Sequence, residues 1–309
     1  MHRNLASSCS INESISLSTH GLRRRLARLF RRGTGKLVIA PVDDSLLAGP
    51  IDGLESIESK LSQFADASAF PTPLPKWDFA PDAVVGFRLA SAHLSKYQPI
   101  APFILNLTAS TTIGAHVDKA IVGGVSEALA LDATAVAVHV NFTSRYEMRQ
   151  LEKFADISSN ATASGLPLMG ILYPRREKDG RDDNYDALRL EDANEWTRLV
   201  CHATRVGVEL GCSVIKTQYT GSARTFERVV RAGEGAAVVI AGGRPRDPPD
   251  FIETIDAALS AGAAGVSFGR NFFSRRDSRP WIRAAIALVH EGQDAKEALQ
   301  WLESHTSGE

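Results

Sequence analysis

The sequence predicts an α/β fold, a single (β/α)8 barrel of the TIM type with an N-terminal helix and a flexible N-terminal tail. Three observations predict it. Apolar runs of strand length recur about eight times after residue 36, segments of helical spacing separate most of them, and polar residues follow the runs. Strands that are apolar throughout, rather than alternating, belong to a parallel sheet covered by helices. About eight such units in 309 residues favour closure into a barrel over an open doubly wound sheet.

Residues 1–20 (MHRNLASSCSINESISLSTH) are polar and serine-rich without periodicity, which predicts the tail. In GLRRRLARLFRRG, Leu22, Leu26, Leu29 and Phe30 share one helical face and arginines cover the rest. A short basic helix in a near-neutral chain reads as a helix closing the base of the fold, in preference to a nucleic-acid patch. The strand-like runs lie at 37–42, 83–85, 103–107, 135–140, 166–172, 212–215, 236–241 and 264–268. Helices are expected at 53–64, 117–131, 146–159, 190–210, 223–231 and 251–261, whereas 66–82 reads as a proline-rich loop. No linker divides the chain, so residues 21–309 form one barrel domain.

Composition narrows the function classes. Hydrophobic residues make up 44% and charged residues 23%, enough for a sizeable core, and the formal net charge of -1 gives no pull toward nucleic acid or an acidic membrane. Cys9, Cys201 and Cys212 have neither metal-like nor redox-like spacing, and their odd number argues against a disulfide framework. No apolar run approaches the roughly 18 residues needed to span a bilayer, and the N-terminus lacks the apolar core of a signal peptide. The expectation is a soluble cytoplasmic protein with no membrane or nucleic-acid partner.

Catalytic groups of such barrels sit at the C-terminal ends of strands. Just past the apolar runs stand Asp43, Asp44, Arg88, Asn106, Thr108, His139, Asn141, Tyr173, Arg175, Lys216, Gly242, Gly243, Gly269 and Arg270. Lys216 ends the run beginning at Cys212. Desolvation disfavours a lysine's charge, and a neutral lysine is a nucleophile toward ketones, although snorkelling to water would also explain the position. Glycines after the last two runs, in VVIAGGRP and GVSFGRN, let backbone N–H groups approach a phosphate, for which Arg270 offers a bidentate clamp. No nucleotide loop, zinc-protease helix or serine elbow is present. The scattered histidines suggest no metal site, and no cofactor is indicated.

The phrases APVDDSLLAGPIDGL, LNLTASTTIG, AVAVHVNFTSRYEM, GLPLMGILYPR, GVELGCSVIKTQYTGSARTFERVV, VVIAGGRP and GAAGVSFGRNFF occur in the order found in the archaeal-type class I (Schiff-base) aldolases. Over residues 22–292 the chain resembles that family, and its GPIDGL, TASTTIG and KTQYTG segments look closest to the 2-amino-3,7-dideoxy-D-threo-hept-6-ulosonate synthase branch and related actinobacterial aminohydroxybenzoate-pathway aldolases. The resemblance implies that Lys216 forms the Schiff base, that Tyr173 donates protons and that Asp43 exchanges a substrate hydroxyl proton. It also implies that Asp44, Ser45, Arg175, Gly242, Gly243, Gly269 and Arg270 bind substrate or its phosphate. The implied partners are a phosphorylated ketose and an aldehyde, with dihydroxyacetone phosphate and aspartate semialdehyde the expected pair, and the implied assembly is a homo-oligomer. A heptulosonate synthase exchange, fructose-bisphosphate cleavage and a non-catalytic sugar-phosphate-binding barrel are the alternatives. One departure stands out: the family usually has histidine where this chain has Asp44.

Overall fold

The computed structural model describes residues 20–65, 79–96, 101–114 and 116–306. The expected tail before His20, most of the proline-rich loop (66–78) and Cys9 lie outside them. Eight parallel strands close a barrel: β1 (Leu37–Pro41), β2 (Ala83–Gly86), β3 (Phe103–Asn106), β4 (Ala135–Phe142), β5 (Leu168–Pro174), β6 (Val214–Gln218), β7 (Ala237–Ala241) and β8 (Gly265–Ser267). Neighbours in sequence are neighbours in space, and β8 returns to β1 in the register Leu37↔Gly265.

Because side chains alternate along a strand, two apolar layers form. Leu37, Ile39, Val85, Ile104, Ala137, Met169, Ile171, Val214 and Val239 fill the interior, while Val38, Val84, Leu105, Val136, Leu172, Ile215 and Ile240 pack against the helices. Both sides are buried, which is why the strand runs are continuously apolar.

Local chemistry sets the helix starts. Asp192 accepts from the backbone of Asn194 and Glu195 to cap Ala193–Glu209, Ser222 caps Ala223–Ala232, and Asp247 followed by two prolines opens Pro248–Ser260. Three expected helices are shorter than their spacing predicts, and the first, expected at 53–64, runs only over Ile57–Ala65. The one expected at 117–131 is confined to Val125–Ala130, because Ala120–Ile121 instead pairs antiparallel with Thr108–Ala109 and extended Gly124 starts the helix late. The one expected at 190–210 begins only at Ala193, where extended Asp192 separates it from the short helix Asp186–Glu191. Among the described residues no helix is long and apolar enough to cross a membrane.

The basic N-terminal helix His20–Leu29 closes the base of the barrel. Arg25 donates to the Gly165 carbonyl (2.9 Å), Arg31 to the Pro81 carbonyl (2.9 Å) and Arg32 to Asp82 (2.8 Å). Asp82 is 1% exposed and also accepts from the Val38 amide and meets His290 Nε2, each at 2.7 Å. Arg25, Arg31 and Arg32 thus clasp the N-terminal segment to the base of the barrel.

Candidate active site

The alternation that builds the interior core also builds the site. Continuing the inward positions past the last apolar layer leads from Ile39 to Asp43, from Ile104 to Asn106, from Ala137 to His139, from Ile171 to Tyr173 and Arg175, and from Val214 to Lys216 and Gln218. All of these line one cavity of about 820 Å³ at the C-terminal end of the barrel, together with Asp44, Gly242, Gly243, Gly269 and Arg270. Lys216 does not end its strand as its apolar run suggested. It sits in the middle of β6, paired with Val239 and Ile171, and is 8% exposed.

Three residues read as part of the mouth lie elsewhere, and one of them, Asn141, is fully buried outside the cavity and donates to the Val117 carbonyl (3.0 Å). Arg88 begins the helix Arg88–Leu94, points outward and pairs with Glu127. Ser45, expected to contact substrate, turns its hydroxyl back to the Val42 carbonyl (3.0 Å) and does not line the cavity. Position 45 is the second residue of the short helix Asp44–Ala48, so its side chain turns away while Asp43 and Asp44 face inward.

Around Lys216 the groups sort by charge. Asn106 Nδ2 donates to Asp43 (2.8 Å), and Asn106 Oδ1 accepts the Thr108 amide (3.1 Å), which fixes the orientation of the amide. Burial, followed by the neighbouring charge of Asp43, raises the Asp44 carboxyl above its ordinary range. Tyr173 is raised by burial and meets the His139 ring edge-on at 5.1 Å. Burial and the nearby cations hold His139 well below the usual imidazole range, so it is neutral.

A second cationic pole was not anticipated from the sequence. Lys119, 3% exposed, is lowered to about 7 by burial and by Arg175. Its Nζ donates to Ser110 Oγ (2.7 Å), while Arg175 donates to His116 Nε2 (2.6 Å) and to Asn184 Oδ1 (2.6 Å). His116 is lowered to about 3 by burial and by both cations, so it is neutral. Since Arg175 can only donate, His116 Nε2 accepts and the ring proton is assigned to Nδ1, which faces Ser110. The hairpin of Arg176–Lys178 and Arg181–Asp183 brings Asp182 and Asn184 to this rim.

Opposite lie the glycine loops. Gly243 has a positive φ of 69°, and a Cβ at Gly242 would meet Asn271 Nδ2 at 2.7 Å. Asn271 is fully buried, donates to the Gly242 and Arg244 carbonyls (3.1 Å each) and accepts from the Arg246 amide (2.9 Å). It bolts the loop after β7 to the loop after β8. Among the described residues His139 Nε2, Gln218 Oε1 and Ser267 Oγ are buried without a hydrogen-bond partner, and all three residues face the cavity. Buried polar atoms are rarely left so, which marks the cavity wall as one made for a polar ligand.

A family model described as DeoC/LacD family aldolase matches residues 37–275, nearly the whole barrel. The chain belongs to the DeoC/LacD aldolase family. As an aldolase of this family it is an enzyme, and its family relatives carry more specific names. It is 34% identical over 277 residues to the 2-amino-3,7-dideoxy-D-threo-hept-6-ulosonate synthase of Halobacterium salinarum, covering 89% of this chain and 95% of that one. It is 30% identical over 268 residues to the 2-amino-4,5-dihydroxy-6-oxo-7-(phosphonooxy)heptanoate synthase of Streptomyces griseus, covering 86% and 89%. An archaeal fructose-1,6-bisphosphate aldolase, solved with its catalytic lysine covalently bound to a carbinolamine intermediate, superposes with a TM-score of 0.71 at 28% identity, covering 87% of this chain and 99% of that one.

Proposed function

We propose that this aldolase joins a phosphorylated ketose to an aldehyde through a Schiff base on Lys216, with dihydroxyacetone phosphate and aspartate semialdehyde as the pair and a seven-carbon amino sugar phosphate as the product. The observation that carries the reading is the inward, buried Lys216 between Tyr173 on one side and the two glycine loops on the other. The uncharged amine adds to the ketone carbon, the carbinolamine loses water, and the resulting iminium draws electrons from the adjacent C–H bond to give an enamine. The enamine carbon then attacks the aldehyde, and hydrolysis of the new iminium frees the product and the lysine.

Each neighbouring group supports one part of this sequence. Tyr173, kept protonated by burial, exchanges protons with the carbinolamine oxygen. The carboxyl groups at the end of β1 handle the hydroxyl proton. The glycine loops and Arg270 hold the ketose phosphate, which fixes the reacting carbon relative to Lys216. Lys119 and Arg175 supply positive charge at the opposite rim, which suits an acceptor bearing a carboxylate or phosphate. A transaldolase-like exchange of the heptulosonate synthase type uses the same lysine and is the second reading, favoured by the Halobacterium relative.

Borohydride reduction in the presence of dihydroxyacetone phosphate should leave a covalent adduct on Lys216, read by mass spectrometry of its peptide. Lys216→Met should abolish both adduct and turnover. Full turnover in that variant would sink the mechanism. Aspartate semialdehyde consumption then separates the condensation from fructose-bisphosphate cleavage.

A further inference from the structure

The two carboxyl groups at the end of β1 are adjacent in sequence and line the same cavity as Lys216, but their surroundings differ. The Asn106 amide is held by the Thr108 N–H, so its nitrogen is the atom presented to Asp43. An amide nitrogen only donates, hence Asp43 accepts there, an arrangement that suits a carboxylate. Among the described residues no hydrogen-bond donor reaches the Asp44 carboxyl. Two neighbouring carboxylates in a secluded site do not both ionise readily, and unequal donors decide which keeps a proton.

We propose that Asp44 is the proton donor for carbon–carbon bond formation, while Asp43 beside it keeps the hydrogen bond from Asn106. The inference rests on the Schiff-base reading and refines it, because the resemblance pointed to Asp43 for this proton. As the enamine carbon bonds to the aldehyde carbon, the carbonyl π pair moves to oxygen. The Asp44 O–H bond breaks, and its proton completes the new hydroxyl. The C–H proton released on enamine formation passes to solvent water, and solvent returns one to the Asp44 carboxylate after product release, so no co-reactant is consumed. In cleavage the Asp44 carboxylate takes the same proton back.

Burial and Asp43 favour the protonated form of Asp44, whereas Lys216 on β6, Arg270 after β8 and Lys119 oppose it. Tyr173 and Arg175, at the end of β5, also interact with the Asp44 charge. An acid that must be protonated produces a loss of rate on the alkaline side of the profile.

The test measures borohydride trapping with dihydroxyacetone phosphate, then kcat against pH with whichever of aspartate semialdehyde and glyceraldehyde 3-phosphate turns over faster. Asp44→Asn should trap the adduct to within about threefold of the unsubstituted protein, lose about a hundredfold or more in kcat, and lose the alkaline limb. Asp43→Asn removes the charge that holds the proton on Asp44, so its limb should move to lower pH. Should Asp44→Asn fail to fold, as circular dichroism would reveal, the displaced limb of Asp43→Asn decides the question. Unchanged turnover in Asp44→Asn, or an alkaline limb unmoved in both variants, overturns the assignment while leaving the Schiff base intact. If the unsubstituted protein traps no adduct or turns over neither aldehyde, the proposed function falls and this inference falls with it.

Discussion

Replacing Lys119 with methionine should stabilise the fold at pH 6 while weakening the acceptor side of the site. The lysine is lowered from the ordinary 10.5 to about 7, chiefly by burial. At about 1.4 kcal/mol per pH unit, that corresponds to at most about 5 kcal/mol of folded-state cost when the ammonium is charged. Below pH 7 the lysine is charged in both folded and unfolded chains, so the folded state bears the whole cost. Between 7 and 10.5 the folded lysine is neutral while the unfolded one still binds a proton, and the cost fades. Methionine keeps the stem's volume and leaves Ser110 bonded to the His116 carbonyl. Urea unfolding at pH 6, 8 and 10, at fixed protein concentration, should show a stability gain of about 2–5 kcal/mol that shrinks toward zero by pH 10. A variant less stable than its parent at pH 6, or a gain independent of pH, would refute the reasoning. Loss of the positive pole should also raise KM for an anionic aldehyde by about tenfold or more, with trapping at Lys216 retained.

Two further substitutions test the frame that holds the site. Gly265 has φ 131°, and a Cβ there would lie 1.9 Å from the Leu37 carbonyl oxygen, so Gly265→Ala must part β8 from β1; a stability loss above about 4 kcal/mol is expected, and a urea midpoint near the parent's would contradict the register. Asp82→Ala strips the Val38 amide and Arg32 of their shared acceptor at the base. It should cost about 3–5 kcal/mol in urea unfolding while leaving the kcat of the folded protein within about twofold, whereas a loss below about 1 kcal/mol would show the clasp to be dispensable.

The barrel was legible in the sequence because both faces of each strand are buried. Eight runs therefore had to be apolar throughout, a pattern that survives errors of a residue or two at their ends. The same periodicity carried Asp43, Tyr173, Arg175, Lys216 and the glycine loops into one cavity, since each lies just beyond an inward apolar residue. Helix ends were read less well. Capping by Asp192 and the pairing of Ala120–Ile121 with Thr108–Ala109 override apolar spacing at 190–210 and 117–131.

Other features only the tertiary structure could decide. Lys119 falls in the helix expected at 117–131 but stands before its observed start, and its environment and that of His116 come from Arg175, 59 residues beyond His116. Asn271 joins two loops by bonding to Arg246, 25 residues before it. Ser45 and Asp44 are neighbours of similar polarity, yet backbone direction alone turns one to Val42 and the other into the cavity. The sequence by itself thus determined the barrel and gathered Lys216 and the glycine loops at one end of it, because strand alternation is a local rule. The second cationic pole and the unequal surroundings of Asp43 and Asp44 were decided by the folded structure, because burial and hydrogen-bond partners come from residues far apart in the chain.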